Sequence, residues 1–302
     1  MNIFDAQFHF GPGGVDAALA QINALGIQAV MIDEHWQGER HGHPAHKLAN
    51  GVWRMSNPTA ELAHRLHPTR FTSLLRVEGN DPEVEHVIRL SGQTCHIKAI
   101  RCCPGMDEGE NTRFRDGGYD KVFRATRDTG LPLFVFAPLE FDALAEYARA
   151  YPDLQICIDH CGLFGNTMLR FIHWTGLKPS TFEEQSKNFD GVLKMAEIPN
   201  IGLKWAHADT VFGSPDGAYP GVTLRPILRR AIDAFGADRI CWGSDASQNA
   251  EPWAETLFAM RENTDLSPEE FAWIMGDTLR KWSGFTGEEP VRECPIPLPT
   301  DH

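Results

Sequence analysis

Short apolar runs alternating with amphipathic stretches narrow most sharply what this chain can fold into. Eight such runs are read at Ile3–Phe8, Gln28–Asp33, Phe71–Val77, His96–Cys102, Leu133–Ala137, Gln155–Asp159, Gly202–Trp205 and Ile240–Gly243. Several are apolar along nearly their whole length, as strands covered on both faces must be. Between them, residues 15–25, 60–67, 82–90, 119–128, 140–150, 181–195 and 226–235 carry helical spacing. After the last run, Ser267, Pro268, Glu269 and Glu270 supply an N-cap, a first-position proline and first-turn acids, so a final helix is expected through Trp273. This alternation predicts the α/β class: a single (β/α)8 TIM barrel with long loops at the C-terminal face of its strands. The barrel is expected over residues 1–287. Residues 288–302, with prolines 290, 295, 297 and 299, read as a tail without a core of their own.

The formal net charge of −13 argues against a nucleic-acid or anionic-membrane partner, because both need clustered Lys and Arg. No stretch approaches the 18 or so uninterrupted apolar residues of a membrane span, and the N-terminus lacks a basic-then-apolar leader, so a cytoplasmic protein is expected. The seven cysteines have no zinc-finger spacing and sit largely in apolar runs, as buried thiols do. A small-molecule ligand fits this composition, and the sequence leaves a homo-oligomer open.

In a barrel, the side chains at the C-terminal ends of the strands converge on one mouth. Here they are Gln7 and His9, Arg76, Arg101, Phe136, His160, Lys204 and Asp245. Three long connections leave the same face. The first carries His35, His41, His43, His46 and Trp53, the second Asn166, Phe171, His173 and Trp174, and the third His207, Asp209 and Phe212. Each residue also has a plain structural reading: Asp245 as a turn cap, His160 as a hydrogen-bonded core imidazole, Arg101 as a partner of the acidic loop Asp107–Glu110, Lys204 as a brace between carboxylates.

The order and spacing of four segments resemble the amidohydrolase-related barrel family, which includes lactone hydrolases and metal-dependent decarboxylases. Asp5-Ala-Gln-Phe-His9 resembles its first-strand D-x-H-x-H, Asp153 to Gly162 its sixth-strand segment ending in histidine, Trp242-Gly-Ser-Asp245 its eighth-strand aspartate, and Gly276-Asp-Thr-Leu-Arg280 its final-helix segment. Metal-dependent members, by that resemblance, hold an ion through both first-strand histidines, a fifth-strand histidine and the eighth-strand aspartate. This chain has Gln7 and Phe136 at two of those places. A catalytic zinc keeps three protein ligands, so the reading is a site without metal. Its alternative is a zinc-type ion at His9, His160, Asp245 and a loop histidine.

The resemblance thus implies a hydrolase of a lactone or similar cyclic ester bearing a carboxylate. Asp245 would be the general base on water, its pKa raised if the mouth is dry, and His160 would orient it. His9 and Gln7 would meet the oxygen that gains charge. Arg101 and Arg76 would grip a substrate carboxylate, with Lys204, His35, His207 and Trp174 as further substrate contacts. A metal-dependent decarboxylase or hydrolase, a lactone isomerase and a metabolite-binding barrel without catalysis are the competing readings.

Overall fold

Eight parallel strands pair in sequence order: β1 (Phe4–Phe8), β2 (Ala29–Asp33), β3 (Phe71–Val77), β4 (Ile97–Cys102), β5 (Leu133–Val135), β6 (Ile156–Ile158), β7 (Ile201–Trp205) and β8 (Ile240–Trp242). The computed structural model describes residues 2–11, 13–34, 46–55, 57–170, 172–213, 224–246 and 252–287. The expected tail at 288–302 and the histidine-rich stretch containing His35, His41 and His43 lie outside the described residues. Helices cover the outer face, and the expected (β/α)8 barrel is what the chain forms.

Strand alternation accounts for where the chemistry lies. Inward-facing Phe4, Ala6, Ala29, Met31, Leu74, Ala99, Phe134, Cys157 and Cys241 fill the lower barrel as one apolar cluster. Leu279, Trp282 and Phe285, from and just beyond the last helix, complete it from below. Two residues further along a strand the side chain points the same way again. The positions above Met31, Leu74, Ala99, Phe134 and Cys157 are therefore Asp33, Arg76, Arg101, Phe136 and Asp159. β1 would break this rule but for a bulge. Its register against β2 runs Phe4 to Ala29, Asp5 to Val30, then Phe8 to Ile32, so one extra residue sits in β1. A bulge reverses which face the following residues occupy, which sends Phe8 to the outer core and Gln7 and His9 to the mouth.

The seam between β1 and β8 is closed by few backbone bonds. Asp245 N donates to Gln7 O at 2.9 Å and His9 N to Ala246 O at 3.2 Å. Asp5 reinforces it from inside the wall. Its carboxylate accepts from Ser244 N at 2.9 Å, Gln7 N at 3.1 Å, Trp253 Nε1 at 3.0 Å and the Ser244 hydroxyl. At the bottom, a Cβ on Gly276 would lie 2.4 Å from Asn2 O, so only glycine lets the closing helical segment approach the start of the chain.

Among the described residues, the sequence reading missed three helices, a short one at Ala208–Phe212 and two longer ones. Residues 107–110 form no loop: the Asp107 side chain accepts from Glu110 N and caps helix Glu108–Arg115, whose acids sit in the first turn and arginines in the last. Helix Trp253–Arg261 follows β8 and supplies the indole that holds Asp5. Elsewhere the expected helices appear with ends shifted by a residue or two. The last one continues past Trp273, through a π-helical turn Trp273–Asp277 into Thr278–Ser283.

Replacing Asp5 by Asn keeps the size but puts an amide N–H against donors at the seam. Chemical denaturation should show a loss of about 1–3 kcal/mol, the cost of leaving buried polar groups unpaired. An unchanged midpoint would show that Asp5 does not hold the barrel closed.

Candidate active site

Where the strands end, the backbone turns sharply. His160, Cys161, His207 and Asp245 have φ of 48°, 55°, 54° and 51°, left-handed values that side chains with a Cβ seldom adopt. Such conformations cost on the order of 1–3 kcal/mol each and gather at functional sites. Here they aim His160, His207 and Asp245 at one point, at the floor of a cavity of about 270 Å³ also lined by His9, Gln7 and Phe136.

Asp245 is the centre of this arrangement and is almost fully buried. His9 Nε2 lies 2.6 Å from Oδ1, His207 Nε2 2.5 Å from Oδ2 and His160 Nε2 3.3 Å from Oδ2. Gln7 Nε2 donates to Oδ1 at 3.3 Å. Burial alone would raise the Asp245 pKa, but His207 and His9 outweigh it and hold the carboxyl well below the usual range. This reverses the raised pKa expected from a dry mouth, because the sequence did not show how closely the imidazoles clasp the carboxylate.

The hydrogen bonds assign the protons. The Thr210 hydroxyl donates to His207 O at 3.0 Å, so its oxygen accepts from His207 Nδ1 at 3.2 Å. With Nε2 2.5 Å from Asp245 Oδ2 and Nδ1 beside the Thr210 oxygen, the surroundings favour the protonated ring. Burial disfavours that cation, yet Asp245 outweighs burial and raises the His207 pKa above its ordinary value. His160 is the opposite case. Arg101 Nη2 donates to its Nε2 at 3.1 Å, which requires a lone pair there, and burial drives its pKa well below the usual value. Its Nδ1 stands 3.3 Å from Asp159 Oδ1 without hydrogen-bond alignment.

Beneath this cluster runs a closed chain of buried charges. Asp33 and Asp159 both hold Arg101, the latter through Nε at 2.6 Å. Asp159 Oδ1 meets Lys204 Nζ at 2.5 Å, Lys204 donates to Gln7 Oε1, and Gln7 Nε2 returns to Asp33 at 3.4 Å. Burial pushes the Asp159 carboxyl up, but Arg101, His160 and Lys204 together bring it far below the ordinary range.

The structure thus gathers His9, Gln7, His160, His207 and Asp245, and also Arg101 and Arg76, at one mouth. It places Lys204 under the floor, fully buried and outside the lining. Arg101 reaches the cavity with three of its five N–H donors engaged, by Asp33, Asp159 and His160. Arg76 lines the cavity with no hydrogen bond or ion pair among the described residues, although Glu78 lies within its electrostatic reach. Trp174 packs against the apolar cluster of Phe136, Phe164, Leu169 and Ile172 beside the cavity rather than in its lining. His35 lies outside the described residues. Sequence reasoning missed Asp33, Asp159 and Thr210 as partners, and Met106, Thr167 and Met168 as cavity walls. The two aspartates were visible as acids at strand ends, two residues beyond inward-facing core positions.

In donor chemistry His160, His207 and Asp245 suit a divalent ion, and their ligand atoms lie within 4.8 Å of one another. A family model described as amidohydrolase matches residues 8–284. An L-fucono-1,5-lactonase of Burkholderia ambifaria is 30% identical over 114 residues, which take in 36% of this chain and 31% of that relative's length. The curated match therefore spans about a third of the relative. An amidohydrolase of Burkholderia multivorans, solved with zinc bound, superposes with a TM-score of 0.71 at 13% identity, over 94% of this chain and 99% of that one. A probable 2-pyrone-4,6-dicarboxylic acid hydrolase of Acinetobacter baumannii, solved with citric acid bound, gives 0.66 at 12% identity over 94% and 100%. At such identities the solved structures speak to the fold alone, but the family model runs from the end of β1 to just past the last helix: the chain belongs to the amidohydrolase family.

Proposed function

We propose that this protein hydrolyses a lactone or similar small cyclic ester that bears a carboxylate, using Asp245 and its imidazoles without a divalent ion. The observation that carries the reading is the clasp on Asp245. Two ligands of a tetrahedral zinc, each at roughly 2.0–2.1 Å from the ion, stand about 3.3 Å apart. His9 and His207 approach Asp245 at 2.6 and 2.5 Å, in direct hydrogen-bonding contact and closer than two ligands of one ion stand. Only His160 stands off at ligand spacing. The donor set is right for zinc, but the spacing is not, and Arg101 and Lys204 already place two fixed cations beside it.

Asp245 Oδ2 stands at the cavity floor, where it can accept a proton of a water held in the cavity. The water oxygen attacks the lactone carbonyl while Asp245 takes its proton. As charge grows on the carbonyl oxygen, the N–H groups of His9 and His207 turn to it. That transfer loosens the clasp and raises the basicity of Asp245 at the moment it must accept the proton. Collapse breaks the bond to the ring oxygen, which takes the proton of His207, and Asp245 returns its own to His207. The net change is one water added and a hydroxy acid released. Similarity to a lactonase supports this substrate class. Asp33 and Asp159 already neutralise Arg101, so Arg76 is the arginine better placed to meet the substrate carboxylate.

Three measurements test the proposal. In a pH-indicator assay across carboxylated lactones, Asp245→Asn should lose about 10²–10⁴ in kcat, the usual worth of a general base. Retention of most turnover would reject the assignment. Arg76→Met should raise KM roughly 10- to 100-fold for a carboxylated lactone and leave an uncharged one nearly unaffected, as loss of a charged hydrogen bond implies; equal effects on both would remove Arg76 from substrate recognition. The pH profile follows from His207, which must be protonated and whose pKa is raised. With spontaneous hydrolysis subtracted, kcat/KM should fall as pH rises through that raised value, and Asp245, lowered well below 3.8, should set no limb near neutrality. A rate that keeps climbing through that range contradicts the role given to His207.

A further inference from the structure

We infer that Lys204 is a positioning residue for the reaction at Asp245, acting through the side-chain amide of Gln7. Lys204 is fully buried, and its ammonium has three directions to satisfy. One N–H meets Asp159 Oδ1, one meets Gln7 Oε1, and the ammonium lies 4.9 Å from the centre of the Phe134 ring. None remains for a substrate.

What Lys204 does is fix which way the Gln7 amide points. With Oε1 held by the ammonium, the NH2 group faces Asp245 Oδ1 at 3.3 Å and Asp33 Oδ2 at 3.4 Å, and bridges the two carboxylates. The flipped amide would set its oxygen against both carboxylates and its NH2 against the ammonium, which are repulsive contacts at each end. Gln7 Nε2 also lies 3.2 Å from His9 Nε2. Since His9 must donate there to reach Asp245 at 2.6 Å, the amide supplies a second donor to the same oxygen and leaves no acceptor that could draw the His9 proton away. The lysine thus maintains the donor pattern on Asp245 from one layer below.

This inference rests on Asp245 being the reacting carboxylate. Its test uses the full chain with two readouts, one of which needs no substrate. Gln7→Leu and Lys204→Met should each lower kcat about 10²-fold, the scale of a misplaced catalytic group, with KM within about threefold. The double variant should be no slower than the worse single variant, because the two residues act as one unit. Nitrogen-15 spectra of the histidine rings should show the His9 signals moving in the same direction in both single variants. Should Lys204→Met not fold, Gln7→Leu decides alone, since it leaves the Lys204–Asp159 pair in place. Full kcat in Gln7→Leu, multiplying losses in the double variant, or unmoved His9 signals would each overturn the inference. Signals that move in variants of a protein that opens no lactone would instead refute the proposed reaction and leave the positioning role standing.

Discussion

The closed chain of charges from Asp33 through Arg101, Asp159 and Lys204 to Gln7 is the interaction on which the upper half of this barrel depends. An isolated buried ion costs several kcal/mol even after relaxation, and it is tolerated only when paired and hydrogen-bonded. Each carboxylate here has its cation, and every residue of the chain comes from the end of a different strand: β2, β4, β6, β7 and β1. Breaking one of its ion pairs leaves a buried charge without its partner. The pairing therefore constrains strand order and register as firmly as the apolar layers below it, and it forms a rigid polar floor beneath the cavity.

On that floor the strained exits of β6, β7 and β8 become affordable. Three of the residues facing one another across Asp245 sit in left-handed backbone, which the chain would relax if nothing opposed it. Asp245 N bonds across the seam to Gln7 O, His160 N bonds to the Asp159 carboxylate, and the His207 carbonyl accepts from Thr210. Each strained residue is therefore held by its backbone as well as by its ring or carboxylate. Such a site begins with its groups already in place and needs little rearrangement at the moment of reaction.

The barrel was legible because its signal is repetitive: eight apolar runs, each followed by helical spacing, leave few other arrangements. His9, His160 and Asp245 were legible because strand ends point at the mouth. Lys204 and Arg101 were read as substrate contacts because a sequence displays a charge but not what neutralises it. Asp33 and Asp159 were on view in the strand runs, yet only the parity of the strands, Met31 to Asp33 and Cys157 to Asp159, reveals that they point inward. The bulge in β1 had no sequence signal of its own, and without it parity would have sent Gln7 outward. The helix at Glu108–Arg115 was hidden for a different reason. Its charged face outweighs its apolar one, and its caps rather than its periodicity mark it.

By the family resemblance of the sequence, Gln7 and Phe136 stand at places where metal-dependent members are expected to carry histidine, and the surroundings of the two differ. Phe136 packs edge-on to His160, with ring centroids 5.3 Å apart, and joins the apolar cluster of Phe164, Leu169 and Ile172. It dries one side of His160, which favours the neutral ring. Gln7 does the reverse, tying Asp245 to the charges below through an amide that cannot ionise. A histidine at position 7 would offer Lys204 a ring nitrogen in place of a carbonyl oxygen, and once protonated it would repel the lysine outright. Lysine and glutamine are thus compatible with each other in a way that lysine and histidine are not. The residues that depart from the pattern the resemblance implies pack as one self-consistent set around a single carboxylate.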